Sequence, residues 1–285
     1  PVYEATSETA SEVAVRGGYA YVIDNTKGLA IVDISDPAHA QLRLNRHTDD
    51  FAEAVVVAGD YAYVATGEAG VAVIDVSDPL SPGAPVYHPT AGPCLGIAVA
   101  GSYAYAAIYG AGMQIMDMST PLVPGDSFYV TAGDGDDVAI SGDFAFLAAR
   151  TSGLAVIDIS DPRNPGSPIY CDTAGSAQGV ELRGSYAYVA DGTALAIIDV
   201  SDPLNPGTPV YCDTGYAAQV AVSGSYAYVS ASENGLAIVD VSDPQRPGTP
   251  VYVPLSDDAF GVAVSGAYAF VGAGVSGLAV VRLFE

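Results

Sequence analysis

The chain has 285 residues, of which half are apolar, and it contains three Cys, 19 Tyr and no Trp. Its formal net charge of −24 at pH 7 argues against binding to nucleic acid and to anionic membrane surfaces, because both carry negative charge. No apolar run approaches the roughly 18 residues of a membrane-spanning helix, so membrane insertion is not expected. Three cysteines are too few for a disulfide framework, and free thiols are expected.

One stretch of sequence recurs along the whole chain. It reads VAVRGGYAYVIDNTKGLAIVDISDP from Val13 and VAVSGSYAYVSASENGLAIVDVSDP from Val220. The glycine after its first apolar run recurs every 40 to 42 residues. The seven copies begin near residues 13, 55, 97, 138, 180, 220 and 262, and they predict that residues 1–285 form a single domain.

Each copy is predicted to hold four short strands. The apolar run VAV, the run YAYV, the run LAIVDV and the run VYCDT are rich in Val, Ile and Tyr, and Gly or Pro separates them. YAYV and LAIVDV are apolar on both faces, which indicates a sheet that is covered on both sides. A four-stranded unit with a period of about 40 residues is typical of a β-propeller.

The two ends of the sequence complement each other. The last copy ends after its third strand, while PVYEAT at residues 1–6 matches the fourth-strand sequence PVYCDT at residues 209–214. The N-terminal strand is therefore predicted to complete the last blade and close the ring, which hides the sheet edges. The predicted fold is all-β: a seven-bladed β-propeller of four-stranded antiparallel blades.

The motif GLAIVDVSDP at residues 235–244 resembles the LVIVD-repeat family of bacterial and archaeal propellers, and the resemblance covers essentially the whole chain. The pattern VAV…YAYV…AIVD is also distantly similar to YVTN-type surface-layer propellers. The resemblance implies a propeller that is exported or attached to the cell surface, without an assigned activity. The chain starts at Pro1 with neither Met nor a signal peptide, so we interpret it as a trimmed or excised segment, and we expect it to belong to a larger surface protein or assembly.

Function is expected where the copies differ. The repeated Asp of the IVD and SDP motifs is interpreted as structural, since Asp and Pro form turns. The loops between second and third strands and the loops crossing to the next blade emerge on one face, which we call the loop face. Their non-repeated residues are the candidate ligand-binding residues: Glu53, Tyr109, Arg150, Asp191, Tyr216, Asp257 and Asp258.

The sequence GDGDD at residues 133–137 carries the candidate metal ligands. Asp134, Asp136 and Asp137 alternate with glycine in one loop, and carboxylate oxygens are the ligands that calcium prefers. The loop lacks the spacing of an EF-hand, and a solvated acidic loop is the alternative. Cys94 falls in a crossing loop, and His39, His47 and His88 are interpreted as surface residues.

Three hypotheses for function follow. The first is a non-catalytic binding or scaffold module that presents its acidic loop face to a protein or glycan. The second is a hydrolase or lyase that uses paired carboxylates at the channel mouth, with or without calcium. The third is a recently amplified or designed repeat protein with no evolved ligand.

Overall fold

The repeated sequence folds into four-stranded antiparallel sheets, one for each copy of the repeat. A computed structural model describes residues 1–6 and 8–283. These residues form seven sheets, which we number as blades 1 to 7 in chain order. The predicted all-β, seven-bladed β-propeller is therefore confirmed. Two short 3-10 turns, Asn25–Lys27 and Pro37–His39, are the helical elements of the described chain.

The strands follow one another along the chain, four to a blade. The N-terminal strand is β1 (Val2–Glu4). Blade 1 contains β2 (Ala10–Arg16), β3 (Tyr19–Asp24), β4 (Gly28–Asp33) and β5 (Gln41–Arg46). Blade 2 contains β6 (Ala54–Ala58), β7 (Tyr61–Ala65), β8 (Val71–Asp75) and β9 (Val86–His88). Blade 3 contains β10 (Cys94–Ala100), β11 (Tyr103–Ile108), β12 (Gly112–Asp117) and β13 (Ser127–Val130).

The remaining blades repeat the same order. Blade 4 contains β14 (Asp137–Ser141), β15 (Phe144–Ala148), β16 (Leu154–Asp158) and β17 (Ile169–Cys171). Blade 5 contains β18 (Gly179–Arg183), β19 (Tyr186–Ala190), β20 (Leu195–Asp199) and β21 (Val210–Cys212). Blade 6 contains β22 (Gln219–Ser223), β23 (Tyr226–Ser230), β24 (Leu236–Asp240) and β25 (Val251–Val253). Blade 7 contains β26 (Val262–Ser265), β27 (Tyr268–Gly272) and β28 (Leu278–Arg282).

The N-terminal strand closes the ring, as the sequence predicts. β1 pairs antiparallel with β28, with Val2 opposite Val280 and Glu4 opposite Leu278. The hydroxyl of Tyr3 accepts a hydrogen bond from Ser256 N at 2.8 Å, which ties β1 to the loop that crosses from blade 6. Blade 7 therefore has its fourth strand, and β28 has a partner on both sides.

The core lies between neighbouring blades. Successive side chains of a strand point to opposite faces, so each sheet buries one set of residues against each neighbour. Between blades 4 and 5, Phe146 and Leu154 pack against Val189 and Ile198, and none of the four is more than 2% exposed. This burial on two faces explains why the second and third strands are apolar at successive positions.

The repeated aspartates form turns, as predicted. Asp158 Oδ1 accepts a hydrogen bond from Ser160 N at 2.9 Å, and the serine lowers the pKa of this carboxyl. Asp161 of the SDP motif accepts a hydrogen bond from Arg163 N at 3.1 Å. Both aspartates satisfy backbone donors at the end of the third strand, so their recurrence reflects the fold.

The predicted surface position of His88 and the predicted loop position of Cys94 are wrong. Cys94 begins strand β10 and is fully buried, and burial raises the pKa of its thiol. His88 ends strand β9 and is 2% exposed, because its Nε2 lies 2.8 Å from the carbonyl oxygen of Pro121 in the next blade. His39 and His47 are exposed, as predicted.

The cysteines at the equivalent position also contact a backbone carbonyl in the turn of the next blade. The thiol of Cys171 donates to Gly207 O at 3.5 Å, and that of Cys212 donates to Gly248 O at 3.4 Å. The last residue of the fourth strand thus ties each of these blades to the following turn. All three cysteines are free thiols, as expected.

Candidate functional site

The innermost strands of the blades line a central channel with two adjoining cavities. The cavity at the loop face, which we call the mouth chamber, has a volume of about 350 Å³. The cavity behind it, the inner chamber, has a volume of about 490 Å³. Both are lined by Glu12, Ala54, Asp137 and Gln219, and we call the polar set Glu12, Asp137 and Gln219 the waist.

The waist residues occupy one repeat position, immediately before the first-strand Val or Ile. Across the seven copies this position holds Glu12, Ala54, Gly96, Asp137, Gly179, Gln219 and Gly261. A Cβ at Gly261 would overlap the Glu12 carboxylate, and a Cβ at Gly179 would overlap Gln219 Oε1. Each polar side chain therefore occupies the space that is free because the preceding blade has glycine at the same position.

Hydrogen bonds fix the waist across three blades. Asp137 Oδ2 accepts from Val180 N at 3.0 Å and from Gln219 Nε2 at 3.2 Å. Asp137 Oδ1 accepts from Val138 N at 2.8 Å, and Gln219 Oε1 accepts from Val220 N at 2.9 Å. Burial raises the pKa of Asp137, and these three donors act in the opposite direction.

Other carboxyls of the channel also have raised pKa values. Burial and the charge of Asp137 raise the pKa of Glu12 to about 8 and that of Glu181, in the inner chamber, to about 7. Burial raises the pKa of Asp136 to about 6, although Arg150 acts in the opposite direction. The waist thus brings together two buried carboxyls, Glu12 and Asp137, and burial raises the pKa of both.

These shifts predict how stability depends on pH. In the folded protein the pKa values of Glu12 and Glu181 lie above their ordinary value of 4.5. At a pH between the ordinary and the raised pKa, the folded protein therefore binds more protons than the unfolded chain. The melting temperature is therefore expected to fall as pH rises from about 4.5 to about 8. Each of these carboxyls lowers the free energy of unfolding by up to about 1.4 kcal/mol per pH unit, over the range between its ordinary and its raised pKa. Thermal melts in steps of pH measure this slope.

The double variant Glu12→Gln with Glu181→Ala is expected to reduce the slope, because it removes two titrating groups and leaves Asp136, whose pKa is raised to about 6. Glu68→Gln is the control, since Glu68 is exposed on the loop face. A melting temperature that rises over the same window, or an equal slope in the double variant, would contradict the assignment.

Three of the predicted ligand-binding residues meet at the mouth chamber. Glu53, Arg150 and Tyr216 line it, beside Gln178 and Phe260. Arg150 Nη2 lies 3.1 Å from Asp136 Oδ1, and the Tyr216 hydroxyl donates to Gln178 Oε1 at 3.0 Å. The mouth chamber thus combines carboxylates, one guanidinium, an amide and aromatic rings.

Tyr109 belongs to the same rim. The guanidinium of Arg150 lies over its ring, with Cζ 5.2 Å from the ring centroid. The backbone of Arg150 pairs with Ala177 of the crossing loop, which holds the residue at φ +46°. Arg150 is therefore positioned from three directions, by Asp136, Tyr109 and its own backbone.

The structure places the other predicted ligand-binding residues away from both chambers. Asp191 is fully buried, and its carboxylate accepts hydrogen bonds from Thr193 N, Ala194 N and Gly175 N. Asp257 Oδ2 accepts from Val275 N at 2.8 Å, and its Oδ1 accepts from Asp258 N at 2.9 Å. Neither Asp257 nor Asp258 lines a chamber.

The three candidate calcium ligands have different surroundings. Asp136 pairs with Arg150, Asp137 belongs to the waist, and Asp134 lines neither chamber. Within residues 1–6 and 8–283, no three His, Cys, Asp or Glu side chains are arranged to hold a metal ion. The calcium site stays a prediction from sequence, and thermal melts with calcium and with EDTA test it.

Three channel residues were not among the sequence candidates: Glu12, Gln219 and Glu181. All three differ from the residues that most other copies have at the same repeat position. Glu12 and Gln219 share a position with three glycines, and Glu181 stands where the other copies have Ala or Val. Comparing the copies at fixed positions of the first strand would have found all three.

The fold and the central channel define this chain as a seven-bladed β-propeller. The sequence model of the LVIVD repeat matches residues 8–48, 51–84, 91–131, 132–173, 174–214, 214–249 and 257–281. The chain belongs to the LVIVD-repeat family. No curated protein sequence matches it. No helix among the described residues is long and apolar enough to span a membrane.

Solved propellers share the fold at low sequence identity. The computationally designed Ika8 protein is 10% identical, with a TM-score of 0.71 over 99% of this chain and 98% of that one. The WD40 repeats of RRP9 are 11% identical, with a TM-score of 0.77 over 96% of this chain and 90% of that one. U3-55K is 11% identical, with a TM-score of 0.79 over 96% and 91% of the two chains.

Proposed function

We propose that this chain is a non-catalytic binding module whose loop face holds a cationic segment of a protein partner. The mouth chamber carries the proposal. It is lined by the carboxyls of Glu12, Glu53, Asp136 and Asp137, and Arg150 is the one cation among its described lining residues. Since Arg150 is already paired with Asp136, the chamber attracts positive charge.

The rim of the chamber supports the same function. The side chains of Tyr109, Tyr216 and Phe260 are between 40% and 48% exposed. Exposed aromatic side chains beside a charged cavity are typical of the residues that anchor protein partners. Aromatic rings beside carboxyls and amides also suit a glycan, which is the alternative partner for this face.

Binding of peptides by calorimetry tests the proposal. A short peptide with alternating Lys and Gly is expected to bind, and its affinity is expected to fall as the NaCl concentration is raised. The double variant Glu53→Gln with Asp136→Asn is expected to bind this peptide at least tenfold more weakly than the parent. The same peptide with Glu for Lys is expected not to bind.

The matched control carries Asp60→Ser and Asp143→Ser. These exposed residues lie in hairpin turns on the opposite face, where other copies have Ser102 and Ser185, and their replacement changes the net charge by the same amount. Equal binding to the parent, the mouth variant and the control would overturn the proposal. Binding of a glycan array in place of the peptide would assign the face to a glycan, and no binding at all would favour a repeat protein without an evolved ligand.

A carboxylate hydrolase or lyase is the second candidate function. The observation that favours it is the presence of two neighbouring carboxyls with different surroundings in one chamber: Asp137 accepts three hydrogen bonds, while burial and the charge of Asp137 raise the pKa of Glu12 to about 8. Such a pair resembles the acid and base of glycoside cleavage. Release of reducing ends from polysaccharides, lost in Asp137→Asn, would support this candidate over the binding module.

We also propose that the chain works outside the cell or on its surface, as part of a larger surface protein or assembly. The export implied by its LVIVD-repeat family supports this location. Protease treatment of intact producing cells tests it: a surface protein is degraded, whereas an internal protein survives until the cells are broken.

A further inference from the structure

Two grooves between blades, on the face opposite the loop face, are each lined by an arginine. Across the seven copies, the last residue of the first strand is Arg16, Ala58, Ala100, Ser141, Arg183, Ser223 or Ser265. The Arg16 groove lies between blades 1 and 2, and the Arg183 groove lies between blades 5 and 6. Neither groove shares a lining residue with the mouth chamber or the inner chamber.

The Arg183 groove presents hydrogen-bond donors, and none of the described residues that line it carries a carboxyl. Its polar lining side chains are Arg183, Ser185, Tyr186, Tyr188, Ser225 and Ser242. The guanidinium makes one long hydrogen bond, from Arg183 Nη1 to Val222 O at 3.5 Å, and no ion pair with a described residue. Its other N–H groups are therefore available to a ligand.

A buried tyrosine supplies a second donor beside the guanidinium. Tyr188 is 2% exposed and lines the Arg183 groove, and its hydroxyl has no hydrogen-bond partner among the described residues. Burial raises the pKa of this hydroxyl, whereas the positive charge of Arg183 acts in the opposite direction, so the two groups lie close enough to interact. A buried polar group without a partner is costly, and an anion in the groove would accept hydrogen bonds from both groups.

The Arg16 groove has the same pair of donors, but it also has a carboxylate. Arg16 and Tyr21 occupy the repeat positions of Arg183 and Tyr188. The position of Ser225 is occupied by Asp60, which lines the Arg16 groove and repels an anion. Blades 2, 3 and 6 keep the tyrosine and have Ala or Ser in place of the arginine. The Arg183 groove is therefore the arginine groove that suits an anion.

We propose that the Arg183 groove binds the phosphate or sulfate group of a small molecule, with the Arg183 guanidinium and the Tyr188 hydroxyl donating to its oxygens. The exposed hydroxyls of Ser185 and Ser225, in the hairpin turns of blades 5 and 6, line the same groove. Donors on several sides suit a tetrahedral anion with three terminal oxygens better than a planar carboxylate.

The size and the charge of the molecule are compatible with this ligand. The groove has a volume of about 320 Å³, which lies within the range of small-molecule sites. The net charge of −24 opposes the approach of an anion, but exposed charges beyond roughly 8 Å are screened at physiological ionic strength. The groups that line the groove therefore decide whether an anion binds.

Equilibrium dialysis with four sugars at neutral pH and about 150 mM NaCl tests the proposal. Glucose 6-phosphate or glucose 6-sulfate is expected to bind saturably, and the ester that binds more tightly identifies the group. Glucuronate, which carries a planar carboxylate, is expected to bind at least fivefold more weakly than that ester. Glucose has no charge and is expected not to bind.

Arg183→Ser is expected to bind the ester at least tenfold more weakly than the parent. It is expected to fold, since three other copies carry Ser at this position. Arg246→Asn is the matched control, because it removes one exposed positive charge outside the groove, at a position where blades 4 and 5 carry Asn. The control is expected to bind the ester like the parent.

The Arg16 groove allows a test by gain of binding. Adding Asp60→Ser to Arg183→Ser removes the carboxylate from the Arg16 groove and returns the net charge to that of the parent. Binding of the ester is expected to recover in this double variant, through Arg16 and Tyr21. Adding Arg16→Ser is expected to abolish it again.

Four results would overturn the proposal: no saturable binding of either ester, equal binding of the ester by Arg183→Ser, equal binding of glucuronate by the parent, or no recovery in the double variant. The peptide titration described above reports separately on the mouth chamber. Arg183→Ser is expected to keep peptide binding, and the mouth variant is expected to keep ester binding, so the two proposals fail independently.

Discussion

Deletion of residues 1–6 is expected to lower the melting temperature by roughly 10 °C and to make the protein self-associate. β1 is the fourth strand of blade 7, and Tyr3 packs against the cluster between blades 6 and 7. Its loss removes the burial of one large side chain, about 1.5–3 kcal/mol, and strand hydrogen bonds of about 1 kcal/mol each. It also leaves β28 as an unpaired edge. Thermal melts and light scattering at two protein concentrations measure both effects.

Tyr3→Phe is the matched control for the deletion. It keeps β1 and the aromatic ring and removes only the hydrogen bond that the hydroxyl accepts from Ser256 N, so a loss of about 1 kcal/mol is expected. Adding a synthetic peptide of residues 1–6 to the deletion variant is expected to raise its melting temperature again. An unchanged melting temperature after the deletion would show that β1 does not close the ring.

Gly153→Ala is expected to destabilise the propeller by roughly 3 kcal/mol or more, as measured by unfolding in urea. Gly153 has φ +75°, and a Cβ at this position would overlap Cys171 O and lie 2.8 Å from Thr173 N. The third strand and the fourth strand of blade 4 approach each other too closely here for any side chain. The variant must therefore separate two backbone segments as well as adopt a left-handed conformation.

Gly142→Ala separates these two costs. Gly142 belongs to the same repeat and has φ +55°, but a Cβ there would meet no atom within 4 Å. Its replacement is therefore expected to cost only the left-handed penalty of about 1–2 kcal/mol. Equal losses in the two variants would mean that the close approach at Gly153 contributes nothing.

Blade 5 has no glycine at the position equivalent to Gly153. Its loop between second and third strands is ADGTA, and Ala194 stands directly before the third strand. The buried carboxylate of Asp191 accepts hydrogen bonds from Thr193 N and Ala194 N and so shapes this shorter loop. This role explains why Asp191, a candidate ligand-binding residue in the sequence, points away from the channel.

The architecture could be predicted from sequence because each blade is encoded locally. The period of 40 to 42 residues, the turn glycines and the match of residues 1–6 to 209–214 specify the blade count and the closure. The waist could not be predicted in the same way. Glu12, Asp137 and Gln219 become neighbours only when the ring closes, and Gly261, Gly96 and Gly179 in other blades create the space that each one fills.

The burial of His88 and the strand position of Cys94 were also not predicted from sequence. His88 is buried because the turn of the next blade covers the end of β9, and Cys94 is buried because its strand begins earlier than the repeat motif indicates. Both errors concern contacts between blades, which the repeat within one blade does not specify. Glu53, Arg150 and Tyr216 could be chosen as candidates because they depart from the repeat in loops that the fold gathers on one face, and all three line the mouth chamber.

The pairing of β1 with β28 has a consequence for synthesis on the ribosome. The two strands lie at opposite ends of the sequence, and at roughly 5–20 residues per second β28 emerges on the order of 15–60 s after β1. Blades 1 to 6 can form in order during this time, each covering the previous one. β1 has no partner strand until the last blade is made, so a chaperone that shields unpaired strands of the nascent chain would act on β1.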